Sequence, residues 1–175
     1  MKLLATIHPE DIDITVGPMN YSDYKIRLAG RAIVFDRQKV ALIKVSKHNY
    51  YMLPGGGLDR DDLQSGLARE ILEELGAQIC VEKEIGIIEV FFDRWRNKQI
   101  DHCFTARLVN GNSQKRPTDF ESEEGHEIVW VNNITEAIQF VGDAKPEHTD
   151  GKLVQARDLK FLQEYEQHLQ PKPSI

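Results

Sequence analysis

The sequence predicts an α/β fold in which one mixed β-sheet carries helices on both faces. Two observations lead there. Apolar runs rich in β-branched and aromatic residues, among them Lys25–Phe35, Val40–Val45, Ile85–Asp93 and Ile100–Val109, read as strands. Two long helical patterns, one closing at Gly76 and one spanning Lys152–His168, interrupt and follow them. With 175 residues, 41% apolar and 29% charged, the chain reads as one domain over residues 1–175 with enough apolar material for a core.

Taken in order, residues 1–23 form a lead-in arm. Lys2–Ile7 reads as a short edge strand, and His8–Asp23, with Pro9, Gly17, Pro18 and several acids, reads as a loop. The arm is either a loosely packed terminus or a dimer or substrate contact. Lys25–Phe35 and Val40–Val45, joined by a turn at Asp36–Lys39, form a hairpin whose continuous apolar character suits strands covered on both faces. Lys44, Lys47 and His48 end its second strand, as solvated residues or as contacts to substrate phosphates. Tyr50–Leu53 is a third short strand. Gln78–Glu82 is another, and Ile85–Asp93 pairs antiparallel with Ile100–Val109 across a turn at Arg94–Lys98. Alternation puts Ile100, His102, Phe104, Ala106 and Leu108 on one face and Asp101, Cys103, Thr105 and Arg107 on the other. His102 reads as packed or hydrogen-bonded rather than as a ligand contact.

Asn110–Glu127 is a long polar loop containing Glu121, Glu123 and Glu124, followed by a strand at Ile128–Val131. Thr135–Val141 is a short helix with Thr135 as its cap. In Lys152–His168, Leu153, Ala156, Leu159 and Leu162 recur at helical spacing with Phe161 and Tyr165 alongside, so this helix covers one sheet face. Gln170–Ile175 carries two prolines and frays.

The net charge of −6 and a pI of about 5.5 argue against a general nucleic-acid surface, which is usually basic. No apolar run approaches the roughly 20 residues of a membrane span, and the N-terminus lacks a signal-peptide layout. Cys80 and Cys103 sit in strand-like contexts without metal-type spacing, and read as reduced core residues of a cytoplasmic protein.

The stretch Leu53–Ala77, LPGGGLDRDDLQSGLAREILEELGA, carries the chemistry. Asp61 followed by Gln64 is a capping-box pattern, and Gly76 is a C-terminal stop. Residues turn by about 100° along a helix, so Leu67, Ile71 and Leu75 make one apolar stripe with Ala68 and Leu72 beside it. Glu70, Glu73 and Glu74 share the opposite face, where Arg69 can pair with Glu73. Clustered carboxylates repel in water, and a hard divalent cation such as Mg²⁺ reverses that sign. Gly55, Gly56 and Gly57 let the backbone approach a bulky anion. The pattern therefore reads as a magnesium site beside a phosphate-binding loop, against the plainer reading of a solvated glutamate face.

These residues resemble the Nudix box, G-x5-E-x7-R-E-U-x-E-E-x-G-U, with Gly55, Arg69, Glu70, Ile71, Glu73, Glu74 and Gly76 in register. Asp61 stands where the box has Glu, Ala77 where it has a bulky apolar residue, and the glycine loop is one residue shorter than such openings usually are. VSKHNYYMLPGGG and GKLVQARDLKFL are similar to a bacterial subgroup of Nudix hydrolases without an established substrate. The resemblance implies a Nudix-type α/β/α sandwich and hydrolysis of a nucleoside diphosphate linked to another group. It further implies that Glu70, Glu73 and Glu74 hold Mg²⁺ or Mn²⁺, that Arg69 orients an acid, and that Glu123 or Glu124 is an additional ligand or general base, with Glu70 a rival base. Tyr24, Arg27, Arg31, Tyr50, Trp95 and Arg96 are able to stack on a base or pair with phosphate, although each reads first as a structural residue. A homodimer is plausible from the arm and the long hairpin. The alternatives are a Nudix-fold binding or regulatory module without turnover, and an ordinary helix in an unrelated α/β domain.

Overall fold

The structure is a computed structural model that describes residues 2–13, 15–17, 19–58, 62–110 and 123–169. In chain order its elements are β1 (Leu3–Ile7), α1 (Pro9–Ile12), β2 (Lys25–Asp36), β3 (Lys39–Val45), β4 (Tyr50–Met52), α2 (Leu63–Leu75), β5 (Gln78–Phe92), β6 (Asn97–Asn110), β7 (His126–Val131), α3 (Ile134–Asp143) and α4 (Thr149–Glu164). The strands form one mixed sheet in the order β1-β5-β6-β2-β3-β4, with β7 paired to β3. β1 runs parallel to β5 and β2 parallel to β6, while the other pairs are antiparallel.

Alternation along the strands divides the core in two. Ala32, Val34, Ala41, Ile43, Phe104 and Ala106 point to one face and bury Leu67, Ile71 and Leu75 of α2. Ile33, Val40, Leu42, Ile88, Val90 and Cys103 point to the other and bury Ala137 and Val141 of α3 with Leu153, Phe161 and Leu162 of α4. Strands covered on both faces need apolar residues at nearly every position, which is why the β2–β3 hairpin reads as an unbroken apolar run. The result is the expected α/β/α sandwich.

Local details differ from the sequence reading. The two strands expected at Gln78–Glu82 and Ile85–Asp93 are one strand, β5, whose register with β6 shifts between Val81 and Gly86. The polar Glu82–Glu84 stretch marks a bulge in a continuing strand. Cys80 is exposed and not a core residue, because Ile79 and Val81 on either side of it pack inward toward α2, whereas Cys103 is buried. The helix after β7 is capped by Asn133, whose Oδ1 accepts the Glu136 N–H at 2.9 Å, and not by Thr135, whose hydroxyl donates to Glu166. α4 begins at Thr149 and passes into a π-helical turn at Tyr165–Leu169. The lead-in arm contains the short α1 and is tied to α4: Asp13 accepts from Thr149 Oγ1 at 3.0 Å and from Lys152 Nζ at 2.8 Å. Among the described residues no helix is long and apolar enough to cross a membrane.

Candidate active site

The glycine loop lies against β2. Ala32 N–H donates to Pro54 O (3.0 Å), Gly30 N–H to Gly56 O (2.9 Å), and Leu58 N–H to Leu28 O (3.0 Å). β3 pairs with β2 only at Phe35–Val40 and Asp36–Lys39, so the hairpin opens and leaves this edge of β2 to the loop. Gly55 has φ +136°, and a Cβ there would strike the Gly30 backbone. Leu58 packs over Gly30 and against Gly66 of α2, pinning the loop to the helix.

α2 starts one residue later than its predicted cap. Asp62 is the N-cap, and its Oδ1 accepts from Gln64 N–H and Ser65 N–H, both at 3.1 Å. The Ser65 bond, ahead of that from Gln64, holds the Asp62 carboxyl below its ordinary value. Asp61 lies outside the described residues. Gly76 ends the helix in the left-handed region, φ +62°, with its N–H on Leu72 O. Leu67, Ile71 and Leu75 are buried as the stripe requires, but Leu72 is on the solvent side at 36% exposure.

The acids on the other face meet the loop. Glu74 Oε2 accepts the Gly55 N–H at 2.7 Å. Glu70 lies against Gly56, where a Cβ would collide with its carboxylate, the Cδ being 2.7 Å away. Arg69 bridges two acids: Nη2 is 2.9 Å from Glu70 Oε1, and Nη1 is 3.4 Å from Glu73 Oε1. The expected Arg69–Glu73 pair is present, and the contact to Glu70 is the shorter.

Behind the loop runs a charge network that the sequence reading missed. Arg31 Nη1 donates to Gly55 O at 2.6 Å, and Arg31 Nε to Asp101 Oδ1 at 3.2 Å. Arg157 Nη1 reaches the same Asp101 oxygen at 3.2 Å and Arg157 Nε reaches Asp158 Oδ1 at 2.7 Å. Asp158 Oδ2 accepts the Leu53 N–H at 2.8 Å. Gln99 donates to both Asp101 oxygens and accepts from Arg27, whose guanidinium packs on Gly57. Burial pushes the Asp101 carboxyl up, but Arg157 and Arg31 outweigh it and hold the group below its ordinary value. Arg157, Asp158 and Asp101 are almost fully buried. Their signal in the sequence was charge inside apolar patterns: Arg157 and Asp158 within the Leu153–Leu162 stripe, Asp101 within β6.

Glu123 is exposed just before β7. Glu124 accepts from Lys47 Nζ at 2.9 Å and sits 2.5 Å from His48 Nε2. The Lys47 bond, with the nearby His48, lowers the Glu124 carboxyl. Glu121 lies outside the described residues. His102 is buried, with Nδ1 3.4 Å from Glu84, in keeping with a packed role. Tyr24 donates to Asp93 at 2.5 Å; burial first, and then that bond, push its phenol up to about 12. Arg96 pairs with Asp23 and lies over Tyr24. Trp95 is half exposed with Arg94 over its ring. Among the described residues, the side chains whose metal-ligating atoms all lie within 4.8 Å of one another are His48, Glu147 and His148. The α2 acids are spread between Arg69 and the loop instead.

A family model described as the NUDIX domain matches residues 25–164. The chain belongs to the Nudix family. Similar solved structures include a NUDIX hydrolase from Nitrosomonas europaea, 16% identical with a TM-score of 0.60, covering 81% of this chain and 89% of that one. The MutT protein from Methanosarcina mazei Go1 is 17% identical with a TM-score of 0.60, covering 85% of this chain and 99% of that one. An ADP-ribose pyrophosphatase from Streptococcus suis 89-1591 is 19% identical with a TM-score of 0.53, covering 83% and 96%. At these identities the likeness is one of fold. A search of curated proteins finds no match.

Proposed function

We propose that this protein hydrolyses the diphosphate bond of a nucleoside diphosphate linked to another group, using Mg²⁺, or Mn²⁺ in its place, held by Glu70, Glu73 and Glu74. The observation that carries this reading is the docking of the acid face onto the glycine loop, through Glu74 to Gly55 N–H and Glu70 against Gly56. A merely solvated glutamate face has no reason to turn toward a loop whose Gly55 position only glycine can occupy. The donor set also fits: Glu70, Glu73 and Glu74 offer carboxylates, hard oxygen ligands, and Arg69 bridges the first two. Glu70, Glu73 and Glu74 would hold a divalent ion, which would supply charge neutralisation for the diphosphate and a lowered pKa for an attacking water.

The chain's own residues do the rest. Arg69 holds Glu70 and Glu73 in one orientation through charge-assisted bonds. Gly55, Gly56 and Gly57 keep side chains out of the space above the acids, and Arg27 beside Gly57 offers a cation to a substrate phosphate. Glu123 or Glu124 is the additional acid. Glu124 is committed to Lys47 and His48, which favours Glu123, and Glu70 remains a rival base. An acidic chain suits a small anionic substrate met through metal better than a nucleic-acid backbone.

The test is a hydrolysis panel with Mg²⁺, Mn²⁺ or EDTA: ADP-ribose first, given the neighbour named for it, then nucleotide sugars, dinucleoside polyphosphates, NADH and nucleoside triphosphates. Metal-dependent cleavage lost in Glu73→Gln/Glu74→Gln is the expected result. Silence across the panel with Mg²⁺ still bound transfers the reading to a binding module of the same fold.

A further inference from the structure

We propose that His48, Glu147 and His148 form a second metal site, selective for a borderline divalent ion of the zinc type. Their ligating atoms already lie within 4.8 Å of one another, and the two imidazole rings stand 5.2 Å apart at 65°. His48 comes from the turn between β3 and β4, and Glu147 and His148 from the link between α3 and α4, with His148 at the N-cap of α4. Two segments far apart in sequence thus converge on one point.

The orientation of His48 is the second, independent observation. Its Nε2 is 2.5 Å from Glu124, a carboxylate that Lys47 also holds, so this nitrogen donates to a carboxylate that fixes the ring angle. Its Nδ1 is buried and has no hydrogen-bond partner among the described residues. A ligating histidine typically donates its other ring N–H to a carboxylate, which fixes tautomer and ring angle, and an orphaned lone pair is what such an arrangement leaves for an ion. His48 and His148 line a cleft of about 270 Å³ together with Tyr50, Trp95 and Asp150 and with the cations Lys47 and Arg94.

Two imidazoles and one carboxylate favour Zn²⁺ and its neighbours over Mg²⁺, which prefers oxygen throughout. The α2 acids have the opposite preference, so the two sites are separable by metal.

The full chain, stripped with chelator, would be dialysed against Zn²⁺ in millimolar Mg²⁺, and zinc per chain measured. Co²⁺ would serve as a visible reporter of histidine ligation. The expected result is one zinc per chain, weakened at least about tenfold in His48→Ala and in His148→Ala, and by about tenfold to a hundredfold in Glu124→Gln, which loses the orienting carboxylate. Glu74→Gln should leave zinc binding unchanged. Absence of zinc from the unsubstituted chain overturns the proposal. So does zinc that persists in His48→Ala/His148→Ala, since the ion then sits elsewhere.

Discussion

Gly55 and Gly56 are neighbours, yet a methyl group meets different resistance at each. At Gly55 the backbone sits at φ +136° and the obstruction is the Gly30 main chain, which cannot step aside. Gly55→Ala should therefore lose stability, by roughly 1–3 kcal/mol for the backbone conformation alone, with the clash added. At Gly56 the obstruction is the end of the Glu70 side chain, which can swing away. Gly56→Ala should keep its melting temperature within a few degrees and lose turnover, because Glu70 is pushed from its place. Full turnover in a folded Gly56→Ala protein would remove Glu70 from the proposed metal site. Glu74→Gln isolates charge in the same way: the amide oxygen can still accept the Gly55 N–H, so the loop stays while a negative donor goes. A fall of about 10²–10³-fold in kcat at unchanged stability is expected, a loss typical of removing one electrostatic stabiliser.

At the scale of the element, α2 shows which features a sequence carries plainly. Its apolar stripe comes from three residues at i, i+4 and i+8, and all three are buried. Leu67→Ala or Ile71→Ala should cost roughly 2–5 kcal/mol in urea unfolding, with the stripe filled on all sides. Leu72→Ala, on the solvent side, should stay within about 0.5 kcal/mol. Periodicity sums over many residues and so survives local error. A cap depends on one residue, and where the chain offers Asp61 beside Asp62, or Asn133 two before Thr135, the backbone decides which is used. The break between two expected strands turned out to be a bulge in β5 for a related reason. A polar gap looks the same in sequence whether the strand ends or only loses register. The box helix and the glycine loop were legible because both rest on local spacing. The network behind the loop was not, because Arg31, Asp101, Arg157 and Asp158 come from three elements and meet only once β2, β6 and α4 are assembled.

In the whole molecule, the glycine loop is gripped from both helical layers. α2 holds it through Glu74 and under Leu58, and α4 holds it through Asp158 on Leu53 N–H and through Arg157, Asp101 and Arg31 to Gly55 O. Asp101 is the shared anion of two arginines and is fully buried, so its removal leaves both cations short of a partner. Asp101→Asn should cost roughly 3–5 kcal/mol, the usual penalty for breaking a buried pair from one side. Its pH dependence follows from the direction of the carboxyl's shift. Asp101 is held below its ordinary value in the folded chain, so the unfolded chain takes up its proton first, near pH 3.9. The stabilisation is complete above that unfolded value and is lost as pH falls through the lower, folded one. The stability gap between the unsubstituted chain and Asp101→Asn, measured by urea unfolding, should thus be flat from about pH 8 to about pH 5 and shrink only in more acid solution. A gap that closed between pH 8 and pH 5 would assign the coupling to a group with a higher pKa, and Asp101 would no longer be the ion that ties the two layers to the loop.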